Sequence, residues 1–203
     1  MSLVRKVFFK DYVFNVWSNV YEPAEDSFLF AENLTLEKDE VVLDMGTGCG
    51  ILGIVAAHKA SIVIAVDINP HAVRCAKENA RLNGVADKIF LVQGDLFAPV
   101  KVVKIFDLIL FNAPYLPTDL SEGQSWIERA WAGGVNGRTV LDRFLDNFSA
   151  YLKDNGRVLL MQSTLADVDK TLKILAAKGF KTRIVVKRDL PFFETIMLIE
   201  AKH

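Results

Sequence analysis

Cysteine is nearly absent: the 203 residues include only Cys49 and Cys75, and these show no paired metal-ligand spacing, so no metal is assigned. A disulfide framework of the secreted kind uses more of them, which points to a reducing, cytoplasmic location with neither thiol placed for catalysis. Also absent is any apolar run near the roughly 18 residues of a membrane span. Residues 1–14 mix Arg5, Lys6, Lys10 and Asp11 with their apolar side chains, which excludes a signal-peptide core. A charge of one sign is missing as well. The formal net charge of −1 gives no overall basic field to recruit nucleic acid, which counts against a dedicated DNA binder and leaves a local patch open.

What the chain does have is 51% hydrophobic and 24% charged residues, the balance of a globular chain able to bury a sizeable core. With no repeat, low-complexity tract or linker, one domain over residues 1–203 is the economical organisation, residues 1–25 forming a flap and the lead-in to the site. Aromatic and β-branched residues over 7–17 predict two short strands turning at Lys10-Asp11. Strand-like runs follow at residues 41–45, 61–66, 89–93, 106–111, 157–162, 182–187 and 194–200. Helical patterns lie between them, at about 26–34, 51–60, 70–83, 138–152 and 165–178, the last with Leu165, Val168, Leu172 and Leu175 on one face. Asn69 and Pro70 read as a helix start, Gly84 and Gly179 as stops. Alternating strands and helices predict an α/β fold. The final two strands are expected to turn back through Asp189-Leu190-Pro191-Phe192 as an antiparallel pair. Residues 116–137 are too many for a simple connection and are expected to cover the site.

The strongest local signal is the strand ending Leu43-Asp44-Met45, followed at once by Gly46-Thr47-Gly48-Cys49-Gly50-Ile51-Leu52-Gly53 and an apolar helix. Glycines permit a tight turn and close approach of a ligand to the backbone, and a helix start offers free N–H groups. Three acids, Asp44, Asp67 and Asp95, stand at three successive strand ends, and right-handed crossovers bring such ends to one rim. Asp67 lies about 20 residues past the loop, the spacing of an acceptor for ribose hydroxyls. Asp95 can accept from an exocyclic adenine amine, and Asp44 can hold a cationic amino group directly or through the loop.

Two donors compete for this loop. Gly48-x-Gly50-x-x-Gly53 matches a dinucleotide fingerprint, so a nicotinamide-dependent oxidoreductase is an open alternative. Against it, the loop begins earlier, at Gly46, no second mononucleotide half follows, and Asp44 would repel a pyrophosphate. A sulfonium amino acid suits that charge pattern, which favours S-adenosyl-L-methionine. The strand over 106–111 then delivers Asn112-Ala113-Pro114-Tyr115, a polar amide, a stiff proline and an aromatic ring at a carboxyl end, where open α/β sheets bind ligands. An ordinary Asn-x-Pro turn is the competing account of these four residues.

Taken together, Asp44 to Gly50, Asp67, Asp95 and the Asn-x-Pro-Tyr stretch resemble a class I S-adenosylmethionine-dependent methyltransferase. More narrowly, Tyr21-Glu22-Pro23-Ala24-Glu25-Asp26-Ser27, Ala130-Trp131-Ala132-Gly133-Gly134, Asn136-Gly137-Arg138 and Asp142-Arg143-Phe144 resemble the short eukaryal and archaeal branch of the HemK-like release-factor glutamine methyltransferases. The resemblance implies a Rossmann-like fold with helices on both faces of a seven-stranded, mostly parallel sheet in the order 3-2-1-4-5-7-6. It implies methylation of the side-chain amide nitrogen of the glutamine in a Gly-Gly-Gln tip of a translation release factor. Ser27, Asp44, Gly46, Gly48, Asp67, Asp95, Leu96 and Asn112 would then line the cofactor, and Asn112, Ala113, Pro114 and Tyr115 the acceptor. The family usually has Asn-Pro-Pro-Tyr; here Ala113 replaces the first proline, which keeps the carbonyl and frees φ.

An amide nitrogen is a poor nucleophile, so the site is expected to work by placement: the Asn112 side-chain oxygen and the Ala113 carbonyl accept the two N–H bonds of the acceptor while Tyr115 packs on its plane. The exocyclic amine of adenine presents the same two donors, so N6-adenine methylation of DNA or RNA is the alternative, and protein lysine methylation stays open. A binding-only cofactor sensor would not need the ordered Asn112 stretch. The resemblance also implies a small zinc-binding activator subunit at the sheet edge, where Ile89, Phe90, Leu91 and Val92 run in succession.

Overall fold

The structure, a computed structural model, describes residues 4–119 and 125–203. Met1, Ser2 and Leu3, and residues 120–124 of the segment expected to cover the site, lie outside the described residues. The chain divides into two units, Met1–Lys101 and Val102–His203.

The first unit opens with the predicted hairpin, β1 (Val4–Phe9) paired antiparallel with β2 (Tyr12–Trp17). Its turn is made by Lys10 at φ 50°. Alternation decides its faces: Val7, Phe9, Phe14 and Val16 are buried and Phe8 is exposed. Helix α1 (Glu25–Glu32) carries Glu25 and Asp26 in its first turn, where acids complement the helix dipole. Strands β3 (Val41–Met45), β4 (Ile62–Asp67) and β5 (Ile89–Gln93) are parallel, joined through α2 (Ile51–Ala57) and α3 (Pro70–Leu82). Val42, Leu43, Val63 and Val66 are fully buried, as expected of a parallel sheet covered on both faces. At the start of α3 the Asn69 side chain accepts the His71 N–H at 2.9 Å and Pro70 takes the first helical position. Gly84, at φ 71°, follows the helix end as predicted. The order within the unit is β5-β4-β3, and β5 is an edge with Phe90 exposed.

In the second unit β6 (Phe106–Asn112) is buried at every apolar position. It lies parallel to β7 (Leu152–Ser163), while β9 (Thr195–Lys202) is antiparallel to both β7 and β8 (Lys181–Asp189). The order within this unit is β6-β7-β9-β8. The seven strands of the mixed sheet thus follow the predicted sequence, 3-2-1 in the first unit and 4-5-7-6 in the second. Among the described residues three helices accompany them: α4 (Trp126–Arg129), α5 (Thr139–Asn147) and α6 (Val168–Ala177).

Several boundaries differ from the sequence reading by a few residues, and three of them have a visible cause. Strand β7 begins at Leu152, not at residue 157, because Leu152 pairs with Phe106 across an irregularity in the ladder. Helix α5 accordingly ends at Asn147, and residues 148–150 tighten into a 3-10 turn that keeps Phe148 buried. Helix α6 starts at Val168, capped by Asp167, whose side chain accepts the Lys170 N–H at 3.0 Å. Leu165 therefore sits in the preceding 3-10 turn and is exposed instead of packing on the helix face. The β8–β9 turn places Phe192 and Phe193 in the left-handed region with both rings in solvent.

Candidate functional site

In the first unit the register sets the acids on one rim. Asp44 stands opposite Ala65 and Asp67 opposite Gln93, so Asp44 is one residue from the end of β3, Asp67 ends β4, and Asp95 lies just past β5. The glycine loop is tied to this rim. Gly46 and Thr47 donate their N–H groups to the Val66 carbonyl at 2.8 and 3.1 Å, and the Gly48 N–H donates to Asp67 Oδ2 at 2.8 Å. Gly94, at the start of the Asp95 turn, donates to the Asp67 carbonyl at 2.9 Å. Asp67 is therefore a hub whose second oxygen accepts the Asn69 N–H at 2.8 Å. A carboxylate has about four acceptor directions, so room for ribose hydroxyls remains. Burial pushes its pKa up, and the Asn69 and Gly48 N–H bonds oppose that shift.

Asp44 is fully buried. Its Oδ2 accepts the Thr47 hydroxyl at 2.6 Å and the Gly53 N–H at 2.9 Å, so it braces both ends of the loop. A side chain at Gly53 would come within 2.8 Å of that oxygen, which explains glycine there. The other oxygen, Oδ1, has no hydrogen-bond partner among the described residues. Desolvation pushes the Asp44 pKa up to about 6, against the lowering effect of the Thr47 and Gly53 bonds. A buried carboxyl with one orphaned oxygen fits a cationic amino group, and it fits a pyrophosphate poorly. Gly48, at φ 58°, faces open space, with no atom within 4 Å of where a side-chain methyl group would stand, as a loop that cradles a ligand requires. These residues fit an S-adenosylmethionine-type donor.

Ser27 is buried in α1. Its N–H and hydroxyl donate to Asp26 Oδ1 at 2.6 and 3.2 Å, and the Tyr21 hydroxyl reaches the same oxygen at 3.4 Å. Leu96 adopts φ 48°, a left-handed conformation uncommon for a branched residue, and such conformations cluster at ligand sites. Cys49 and Cys75 are buried free thiols. Desolvation raises both, Cys75 to about 11, which leaves neither as a nucleophile.

In the second unit Asn112 ends β6, Ala113 is buried, and Pro114 and Tyr115 are half-buried. A glycine-rich segment holds this stretch. Leu116 donates to the Trp131 carbonyl and Gly133 to the Leu116 carbonyl, at 3.1 and 2.8 Å, and Thr118 donates to the Gly134 carbonyl at 3.0 Å. Gly137 lies directly against the Tyr115 carbonyl, and Gly133 against Gly137, with no room for a side chain at either. The buried Arg138 guanidinium locks the arrangement. It bonds Asp142 Oδ1 through Nε and Nη2 at 3.0 and 2.7 Å, the Ala166 carbonyl, the Asp167 carbonyl at 2.6 Å, and the Thr171 hydroxyl at 2.9 Å. In the sequence Arg138 stands out only as part of a motif. Its position one residue after a Gly-rich run, with Asp142 one helical turn on, is the available sign.

Sheet order, glycine loop and the acid series define a class I methyltransferase. The family model described as ribosomal protein L11 methyltransferase matches residues 27–113. A putative protein N5-glutamine methyltransferase of Methanocaldococcus jannaschii is 45% identical over 90% of this chain and 91% of its own length. Methyltransferase HEMK2 of Homo sapiens is 37% identical over 85% of each chain. The chain belongs to this HemK-like protein N5-glutamine methyltransferase family. Among solved structures, the E. cuniculi Mtq2-Trm112 complex, described as responsible for methylation of the eRF1 translation termination factor, superposes with a TM-score of 0.68 at 26% identity, over 91% of this chain and 98% of that one.

Proposed function

We propose that this enzyme methylates the side-chain amide nitrogen of a glutamine in the Gly-Gly-Gln tip of a translation release factor, using S-adenosyl-L-methionine. The observation that carries the reading is the Asn112-Ala113-Pro114-Tyr115 stretch, a planar-nitrogen acceptor motif held at a strand end by the Gly133–Arg138 segment. When bound, the donor supplies a methyl group on a cationic sulfur. Asp44 would take its amino group, Gly46 and Gly48 its backbone-facing side, Asp67 its ribose, and Asp95 and Leu96 its adenine, with Ser27 and Asn112 completing the lining. Asn112 and the Ala113 carbonyl accept the two N–H bonds of the glutamine amide and fix its plane, and Tyr115 packs on that plane. Orientation is the main contribution, since a delocalised amide nitrogen gains most from being held in an attack geometry.

The relatives named above support the reaction class. The Mtq2-Trm112 pairing of one relative and the exposed Phe90 on edge strand β5 support a small zinc-binding activator docking along Ile89 to Val92. A cytoplasmic site of action fits a translation factor as substrate, and among the described residues no helix is long and apolar enough to cross a membrane. The test is labelled-methyl transfer to a release factor, to its Gln-to-Ala variant and to DNA, each with and without an activator. Label on the release factor alone, lost with the glutamine, is expected. Label on DNA or on the Gln-to-Ala variant overturns the reading.

A further inference from the structure

Three asparagines fasten the N-terminal segment along α3. Asn69 Nδ2 donates to the Asn19 carbonyl at 2.7 Å. Asn79 accepts the Asn15 N–H at 2.8 Å and donates to the Asn15 carbonyl at 2.9 Å. Asn83 treats Val13 the same way, accepting at 3.1 Å and donating at 2.8 Å. One helical turn, about 5.4 Å, is close to the rise of two strand residues, about 6.7 Å, so amides four apart on a helix can meet alternate peptides of a strand. These side chains complete the free edge of β2 in place of a third strand.

Asn79 does one thing more. Fully buried, it also donates to the Cys49 carbonyl at 2.8 Å, in the middle of the glycine loop. Cys49 lies between Gly48 at φ 58° and Gly50 at φ 93°; its peptide is held at one end within the loop, where the Gly50 N–H donates to the Thr47 carbonyl at 2.8 Å, and at the other end by Asn79. Gly48 is held on the other side by Asp67.

We infer that Asn79 is a positioning residue for the donor site, which sets the Cys49 peptide of the glycine loop and couples it to the order of the β1–β2 hairpin. This rests on the reading of that loop as the S-adenosylmethionine site. Asn83 pairs with the hairpin without touching the loop, which makes Asn83→Ala the reference variant.

The experiment measures the affinity of the full chain for S-adenosylhomocysteine by calorimetry, with amide exchange followed alongside. Asn79→Ala is expected to weaken binding about tenfold, the scale of one buried hydrogen bond, and Asn83→Ala to change it less than about twofold. Asn79→Asp retains the acceptor for the Asn15 N–H and loses both donors, so it should behave like Asn79→Ala. Should the variants fail to fold, the wild type still decides: ligand should raise protection of the Asn15 amide. Equal weakening by Asn79→Ala and Asn83→Ala, no weakening by Asn79→Ala, or an Asn15 amide indifferent to ligand overturns the inference. A wild-type chain that binds no S-adenosylhomocysteine overturns the donor assignment itself, a distinguishable failure.

Discussion

Replacing Asp44 with asparagine should make the empty protein more stable at pH 8 and a worse binder of its donor. Burial holds the Asp44 pKa at about 6 against an ordinary 3.8, which corresponds to about 3 kcal/mol of differential stability. The sign follows from the direction of the shift. A folded-state pKa above the unfolded one means that the Asp44 contribution is fully present below pH 3.8 and is lost as pH rises through about 6. An amide at this position keeps an oxygen for the Thr47 hydroxyl and the Gly53 N–H and carries no charge to desolvate. The gain at pH 8 is therefore about 1–3 kcal/mol, the lower figure applying if the new NH2 group finds no acceptor where Oδ1 now lies. At this chain length that is a melting-temperature rise of several degrees, about 2–4 °C per kcal/mol. Donor affinity moves the other way, because a cationic amine would meet an amide, and a loss of tenfold or more is expected. Urea denaturation of the ligand-free protein from pH 4 to 8.5, with calorimetric titration of the donor, reads both. The variant profile should be flatter than wild type by the Asp44 contribution, leaving the fall due to Asp67, whose pKa is also raised by burial. An Asp44→Asn protein less stable than wild type at pH 8, with the wild-type slope retained, would refute the reasoning.

Asn112→Ala should abolish methyl transfer while leaving most donor binding, and retained turnover in a methyl-incorporation assay would sink the acceptor assignment. Gly137→Ala drives a methyl group into the Tyr115 carbonyl at φ 70°, so the proposed acceptor stretch must shift; a kcat drop with donor affinity preserved is expected from steady-state kinetics and calorimetry. Arg138→Leu removes one donor each from the Ala166 and Asp167 carbonyls and from the Thr171 hydroxyl, leaving Gln162 on the first and the Thr171 N–H on the second, at a cost of about 1–3 kcal/mol by chemical denaturation; Arg138→Lys should recover only part of it, since an ammonium cannot reach the same fork of acceptors.

Backbone-driven features were legible in the sequence because their signals are local. The glycine loop, the strand-end acids, Asn69 at the start of α3 and the apolar run of β6 each declare themselves within a few residues. The boundaries of α5 and β7 were not, since Leu152 joins the sheet by pairing with Phe106, far away in sequence. Asn79 and Asn83 look like polar interruptions on an alanine-rich helix face; their role depends on peptides 64 and 70 residues earlier. That Asp44 is divided between a braced oxygen and an orphaned one depends on the closed loop, which no spacing rule describes. The roles given to Asn112 and Tyr115 rest on the motif and the family.

The Arg138 lock has a consequence for how the enzyme is made. Beyond Asp142, its acceptors lie 28, 29 and 33 residues further along the chain. On a ribosome adding about 5–20 residues per second, the strand that carries Asn112 is finished well before the groups that hold its continuation in place have been synthesised. For a few seconds each nascent chain carries the proposed acceptor stretch without the means to fix it, and that stretch settles only when residues 166–171 have arrived.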